Sequence, residues 1–369
     1  MKLTIAREQL LDGLQAVQNI VGSRTTLPIL SNVLLQANGS ELLFTATDLD
    51  VTISCGVEAQ VESPGATTLP VRRFFSIVRE LAVGDVSIDV DEKNVCTLLS
   101  GASRFKIHGL GAEEFPPLPV FEEVKKVVVP QDKLKGMLRR TAFAVSADET
   151  RYVLNGLYFS FKGHALTMVA TDGRRLALTD EEADIAAECE ADLIVPTKAI
   201  AELSRLLLDK GEAEIAFTDN QIRFTLSVDQ KVRVRLISKL VEGTYPNYQQ
   251  VIPRESKERI ALVREEFVQA LRRAEQMTTE KSNSVKLALG RNSLVLSANT
   301  PEVGESVETL SINYKGREFA VAFNPGFLLE ALRALDNDEV FFELSDELSP
   351  GVLKINGPFL YVIMPMRMN

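Results

Sequence analysis

Phe44-Thr45-Ala46-Thr47-Asp48 and Met168-Val169-Ala170-Thr171-Asp172 are near copies of one another: an apolar run that stops on the pair Thr-Asp. Asp48 and Asp172 each stand 38 residues beyond a leucine, Leu10 or Leu134. Each leucine anchors an amphipathic helix with a second apolar residue four positions on, Leu14 or Leu138. A looser third copy reads Leu296-Ser297-Ala298-Asn299, behind a helix anchored by Phe267 and Leu271. Each copy then reaches a proline that opens a second helix, Pro70, Pro196 and Pro325, at 60, 62 and 58 residues from its anchor. Asn324 is placed to cap the last of these helices.

The shared order of strand, helix, hairpin, strand, helix and strands predicts an α+β chain of three tandem repeats, two helices packed on antiparallel sheets in each, with modules at 1–120, 121–250 and 251–369. Repeats of about 120 residues can each bury a core, whereas solenoid units of roughly 20–45 residues cannot. Boundaries fall in the proline-rich Glu113-Glu114-Phe115-Pro116-Pro117-Leu118-Pro119 and between Tyr245 and Glu255.

Chemistry is thinly represented. Cys55, Cys96 and Cys189 are far apart and have no His beside them, which removes metal-cluster and disulfide-framework readings and leaves no expected metal or cofactor. His108 and His164 are the only histidines, and Walker A, G-x-S-x-G and dinucleotide glycine signatures are all missing. One enzymatic alternative is Asp48-Leu49-Asp50, a DxD that could hold Mg²⁺ for phosphoryl transfer with Asp172 nearby. The opening Met1-Lys2-Leu3-Thr4-Ile5 has no signal-peptide core and no stretch is apolar enough to span a bilayer, so a cytoplasmic protein without membrane contact is expected.

Net charge is −10, but it is unevenly spread. The predicted helices at 7–20, 71–81, 131–142, 197–210, 264–276 and 325–336 together carry +4, leaving −14 elsewhere. Arg72, Ser76 and Arg79 share one face at 71–81, with Phe74, Phe75, Ile77, Val78 and Leu81 on the apolar side. Any one such face can be an ordinary solvated helix surface; a protein that did face phosphates with such sparse cations, on an otherwise repelling surface, would bind DNA weakly, without sequence preference and with strong salt dependence. Ser103-Arg104-Phe105-Lys106-Ile107 alternates basic and apolar residues like an exposed edge strand. The third module carries Gln276, Met277, Glu302, Glu305 and Glu308, a largely acidic set of opposite sign. Finally, Phe359-Leu360-Tyr361-Val362-Ile363-Met364-Pro365-Met366 is too apolar to fray and must dock.

With Thr26-Leu27-Pro28-Ile29-Leu30, Ala170-Thr171-Asp172-Gly173-Arg174-Arg175-Leu176, Tyr245-Pro246-Asn247-Tyr248 and Met364-Pro365-Met366-Arg367, the chain closely resembles the bacterial replicative sliding clamps, the β subunits of DNA polymerase III, over its whole length. The resemblance implies a head-to-tail homodimer whose six modules close a ring, with twelve helices around a hole roughly 30–40 Å wide at ~8–10 Å per helix. For that dimer the expected contact sets Arg104 and Lys106 against Gln276, Glu302, Glu305 and Glu308, with Phe105 and Ile107 near Met277; the resemblance also implies duplex-facing residues at Arg24, Arg72, Arg73, Arg79, Lys198 and Arg205, with Tyr152 on an exposed loop. It also implies a partner-peptide pocket at Leu154, Thr171, Gly173, Arg174, Arg175, Leu176, Pro246, Gln250, Val251, Val362, Met364, Pro365, Met366 and Arg367. Implied partners are the replicative polymerase's catalytic subunit, the clamp loader, translesion polymerases, ligase and mismatch-repair proteins. A non-encircling DNA-binding scaffold is the other non-enzymatic alternative.

Overall fold

The computed structural model describes residues 1–22, 27–121, 125–229 and 231–367. Six α-helices carry the repeat: α1 Arg7–Val17, α2 Val71–Glu80, α3 Gln131–Thr141, α4 Thr197–Leu206, α5 Arg264–Glu275 and α6 Pro325–Arg333. Asn324 caps α6 as expected, its side-chain oxygen accepting from Phe327 N at 3.3 Å. Helix α4 is shorter than the sequence suggests. Buried Gln131 accepts from Leu208 N at 3.0 Å and donates to Ser227 O at 2.9 Å, which draws the chain out of the helix soon after Leu206.

The chain forms two compact units, 1–135 with 198–240, and 136–197 with 241–369. They do not follow the three sequence modules, because the middle one contributes to both. In the first unit a five-stranded antiparallel sheet runs in the order Gln60–Ser63, Lys2–Ala6, Asp85–Val90, Val95–Ser100, Ser103–His108. A second sheet has eight strands: Lys125–Pro130, Glu212–Phe217, Gln221–Val228, Lys231–Lys239, Val51–Glu58, Glu41–Thr47, Asn32–Asn38 and Gly65–Pro70. Its middle pairing, Val234↔Cys55 through Ser238↔Val51, joins second-module strands to first-module strands. Helix α1 packs on this sheet and on α2, burying Leu10 and Leu14 against a core that includes Phe44 and Phe74.

The second unit repeats the plan. Its eight-stranded sheet runs Ala191–Pro196, Gly156–Lys162, Ala165–Thr171, Arg175–Glu182, Leu360–Ile363, Gly351–Lys354, Glu339–Leu344, Glu258–Val263. Here the junction is Arg175↔Ile363 through Leu178↔Leu360, so the apolar C-terminal segment docks as a central strand. A four-stranded sheet, Gly304–Ser311, Ser293–Thr300, Val285–Gly290, Phe319–Phe323, completes the unit with α5 and α6. No helix among the described residues is long and apolar enough to cross a membrane.

The repeated Thr-Asp is a turn. Asp48 Oδ1 accepts from Asp50 N at 3.0 Å and Val51 N at 2.7 Å; Asp172 Oδ1 accepts from Arg174 N at 2.9 Å and Arg175 N at 3.1 Å. Thr47 and Thr171 close the same loops through their hydroxyls, to Val51 O and Arg175 O. The residue after each aspartate is left-handed: Leu49 at φ 79° and Gly173 at φ 84°. A β-carbon is disfavoured there by ~1–2 kcal/mol, so the exposed Leu49 carries strain that Gly173 avoids. In urea unfolding, Leu49→Gly is expected to stabilise by about 1 kcal/mol and Gly173→Ala to destabilise by about the same. Equal signs for the two would contradict the turn assignment.

Candidate interfaces for DNA, partner peptide and a second subunit

On α2, Val71, Phe74 and Val78 are buried while Arg72, Arg73, Ser76 and Arg79 are exposed, so the basic face expected from sequence exists. Phe75 and Ile77, expected wholly on the apolar side, are half-buried flanks. Arg73 has no ion-pair partner among the described residues, whereas Arg72 donates to Val21 O at 3.1 Å and Arg79 pairs with Glu80 at 3.1 Å. Lys198, near the start of α4, pairs with Asp48. Arg205 is exposed on α4 and also ties two helices together: its guanidinium donates to Gln15 O at 2.9 Å and Ala16 O at 2.7 Å, in the last turn of α1, and binds Glu202. Arg24 lies outside the described residues.

Tyr152 is 60% exposed on the 3₁₀ segment Glu149–Leu154. Asp148 rigidifies this segment by accepting from Thr150 N at 3.0 Å and Thr150 Oγ1 at 2.7 Å, bonds that hold its carboxyl below the usual range. The same segment leads into an apolar cluster. Leu154, Val169, Leu176, Ile194, Tyr245 and Val362 form one buried cluster, with Val153, Tyr158, Leu178, Val241, Tyr248, Ile252 and Leu360 packed against it. Tyr158 stacks on Tyr245 with centroids 4.8 Å apart, and burial pushes both phenols well above their ordinary pKa.

Around this cluster Pro246, Gly173, Arg174, Gln250, Val251, Met364, Met366 and Arg367 are exposed, with Thr171 and Pro365 half-buried. Backbone bonds fix the terminal segment: Met364 N to Arg174 O at 2.9 Å, and Met366 N to Ala322 O at 2.7 Å. The structure therefore brings the expected pocket residues together, with one reassignment. Arg175 points away into the core, its side chain only 7% exposed. It donates to Asp172 Oδ2 at 3.1 Å, to Phe143 O at 2.8 Å and to Glu330 of α6, and lies 4.3 Å from the Phe327 ring centroid. Burial opposes its charge, but Glu330, Tyr361 and Asp172 more than restore it. Sequence reasoning missed Val153, Tyr158, Ile194, Tyr248 and Ile252; only the period-two pattern of 156–162 signals Tyr158.

Ser103–His108 and Gly304–Ser311 each end a sheet, leaving one side without a strand partner among the described residues. Arg104 and Lys106 are exposed on the first, and Glu305 and Val307 on the second, with Glu302 and Gln276 exposed nearby. Two expectations need correction. Ile107 is 4% exposed and belongs to its own unit's core, so Phe105 alone offers apolar surface on that strand. Glu308 is taken by Arg273 at 2.7 and 2.9 Å. Met277 is half-buried, its carbonyl accepting from Thr300 Oγ1 at 2.6 Å. Beside the basic strand a cleft of about 870 Å³ is lined by Val21, Arg72, Arg73, Ile77, Leu81 and Phe105, among others.

The DxD reading fails on the same geometry: Asp48 holds a turn and Lys198, while Asp50 pairs with Lys239 at 2.9 Å. No group of three or more potential metal ligands occurs among the described residues.

Family models of the DNA polymerase III β subunit match the chain in series: the N-terminal domain at residues 1–119, the central domain at 128–247 and the C-terminal domain at 249–367. The chain belongs to this family. It is 35% identical to the β sliding clamp of Chlamydia muridarum over the full length of both proteins. Among solved structures, the sliding clamp of Pseudomonas aeruginosa bound to griselimycin superposes at a TM-score of 0.95 with 35% identity, covering all of both chains. The sliding clamp of Bacillus subtilis does so at 0.94 with 32% identity, again over both whole chains. β sliding clamps are processivity factors of DNA replication, not enzymes.

Arg175→Met tests the reassigned residue of this clamp-family pocket. Leaving Asp172 and Glu330 without their cation is expected to destabilise the protein by about 3 kcal/mol in urea unfolding. A change below about 0.5 kcal/mol, the scale of an ordinary surface substitution, would place Arg175 back at the surface.

Proposed function

We propose that the chain works as a homodimeric sliding clamp: two copies joined head to tail encircle duplex DNA and tether the replicative polymerase to it. The observation that carries this reading is the pair of unmatched edge strands. Both module junctions within the chain are antiparallel strand pairings; of the strands that end the four sheets, Ser103–His108 in the first module is basic at Arg104 and Lys106, and Gly304–Ser311 in the third is acidic at Glu305 with Glu302 just before it. Joining them repeats the internal junction a third time, and a heterologous contact whose rotation closes makes a ring. The cleft beside Phe105 would then receive Met277 of the second copy. The repeat adds a further contact. Arg72 stands two residues past Pro70, as Lys198 stands two past Pro196, so Arg72 would face the third-module turn near Glu302 as Lys198 faces Asp48.

Arg72, Arg73, Arg79, Lys198 and, in the undescribed segment, Arg24 supply phosphate contacts in this reading, with Tyr152 beside them on its loop. Few and partly neutralised, they suit a protein that moves along DNA rather than one that grips it. The Leu154–Val362 pocket receives apolar side chains of partner peptides, with the polymerase catalytic subunit and the clamp loader first among them, and translesion polymerases, ligase and mismatch-repair proteins sharing it.

Phe105→Arg is the direct test. It is expected to sediment as a monomer at micromolar concentration, keep the wild-type thermal transition, and fail to lengthen the products of a polymerase on primed circular DNA. A dimer that still supports long products would refute the assignment.

A further inference from the structure

Glycine interrupts the first helix of two modules, for different reasons. A β-carbon on Gly13 of α1 would fall 2.5 Å from Cε2 of Phe44, so packing requires its absence. A β-carbon on Gly136 of α3 would meet no described atom within 4 Å. Glycine inside a helix disfavours the helical state by about fivefold relative to alanine. Packing around Gly136 gives no reason to accept that cost.

Gly136 stands where α3 changes the body it is fastened to. Before it, the helix is tied to the unit of 1–135 and 198–240. Gln131 N donates to Gly211 O at 3.0 Å, the Gln131 side chain bonds Leu208 N and Ser227 O, and Lys135 Nζ donates to Asp209 Oδ1 at 2.7 Å. From Gly136 on, the helix belongs to the unit of 136–197 and 241–369. Arg139 Nη1 donates to Asp336 Oδ1 at 2.8 Å, and Phe143 O, just past the helix, accepts from Arg175 Nη2 at 2.8 Å. The chain passes between the units at two other places, and both lie at the end of an element or outside one. Thr197 N, where α4 starts, bonds Asn155 O at 3.2 Å, while the next residue, Lys198, pairs with Asp48. Leu240 N bonds Asn220 O and Val241 N bonds Ile194 O, each at 2.9 Å. Of the three crossings, only the one in α3 runs through the interior of a helix, where bending must stretch N–H to C=O bonds four residues apart.

We propose that Gly136 is a hinge: α3 bends there, and the middle module flexes between the half fastened at Gln131 and Lys135 and the half fastened at Arg139. A residue without a β-carbon reaches backbone conformations closed to others, and sharp bends in helices fall at such residues. Hinges elsewhere use element ends, as the crossings at Thr197 and Leu240 do. What the hinge does for the ring rests on the sliding-clamp reading above. A closed ring parts at one contact only if it yields somewhere else, and Gly136 places that yielding inside the chain, away from the subunit contact.

Pulsed EPR distances between nitroxides on Glu92→Cys and Glu347→Cys, exposed positions in the first and second unit, test the hinge in the full-length protein. The three native cysteines are buried, and the labelled chain is diluted into unlabelled copies. Wild type is expected to give a broad distance distribution, and Gly136→Ala, whose methyl fits the open space, to narrow it by about half. The same variant is expected to leave an uncut nicked circular duplex about fivefold more slowly once loaded. A glycine that merely weakens its helix would let Gly136→Ala resist urea better without any change in width, so equal widths in the two proteins would overturn the hinge. A narrowed distribution with unchanged escape from the circle would overturn its part in opening the ring. Escape equally fast from cut and uncut circles would overturn the sliding-clamp reading and leave the hinge to be decided by the two widths.

Discussion

Backbone pairing across module junctions is the constraint on which everything else depends. A sheet ends in strands with unpaired N–H and C=O groups, and such edges invite another strand. The chain meets that demand twice internally, pairing Lys231–Lys239 with Val51–Glu58 and Arg175–Glu182 with Leu360–Ile363. Side chains reinforce each joint: Lys198 on Asp48 and Lys239 on Asp50 in one unit, Arg175 on Glu330 in the other. In the proposed dimer, the basic edge Ser103–His108 and the acidic edge Gly304–Ser311 would pair with those of a second copy, repeating an existing kind of contact.

Much of this was legible in the sequence, because its repeated signals are local. The four-apart helix anchors, the prolines near the second helices and the Thr-Asp turn all act within a few residues of where they are written. The hydrogen bonds of Thr47-Asp48 and Thr171-Asp172 explain why the pair recurs: each closes a loop around a left-handed residue. The residues proposed to bind partner peptides were named only through resemblance to clamp motifs, whereas the docking of the terminal strand follows from its apolar composition alone.

Roles decided by distant partners were not readable. Arg205 looks like any helix arginine until its guanidinium meets Gln15 and Ala16, and Arg175 looks like a rim residue until Glu330 and Phe327 enclose it. Strand alternation suggested Phe105 and Ile107 as equals; burial separates them, because Ile107 is covered by its own core. Sheet continuity likewise makes compact units that cut through the middle sequence module, and no local pattern encodes such a division.

A net charge of −10 with a few cations on the helices favours encirclement over adhesion as the means of staying on DNA. The central claim is therefore topological. Its most direct measurement is retention of the loaded protein on a nicked circular duplex, washed at high salt, before and after the circle is cut once by a restriction enzyme. The account predicts stable retention on the intact circle and rapid loss through the new ends. Equal retention on the cut molecule would contradict it.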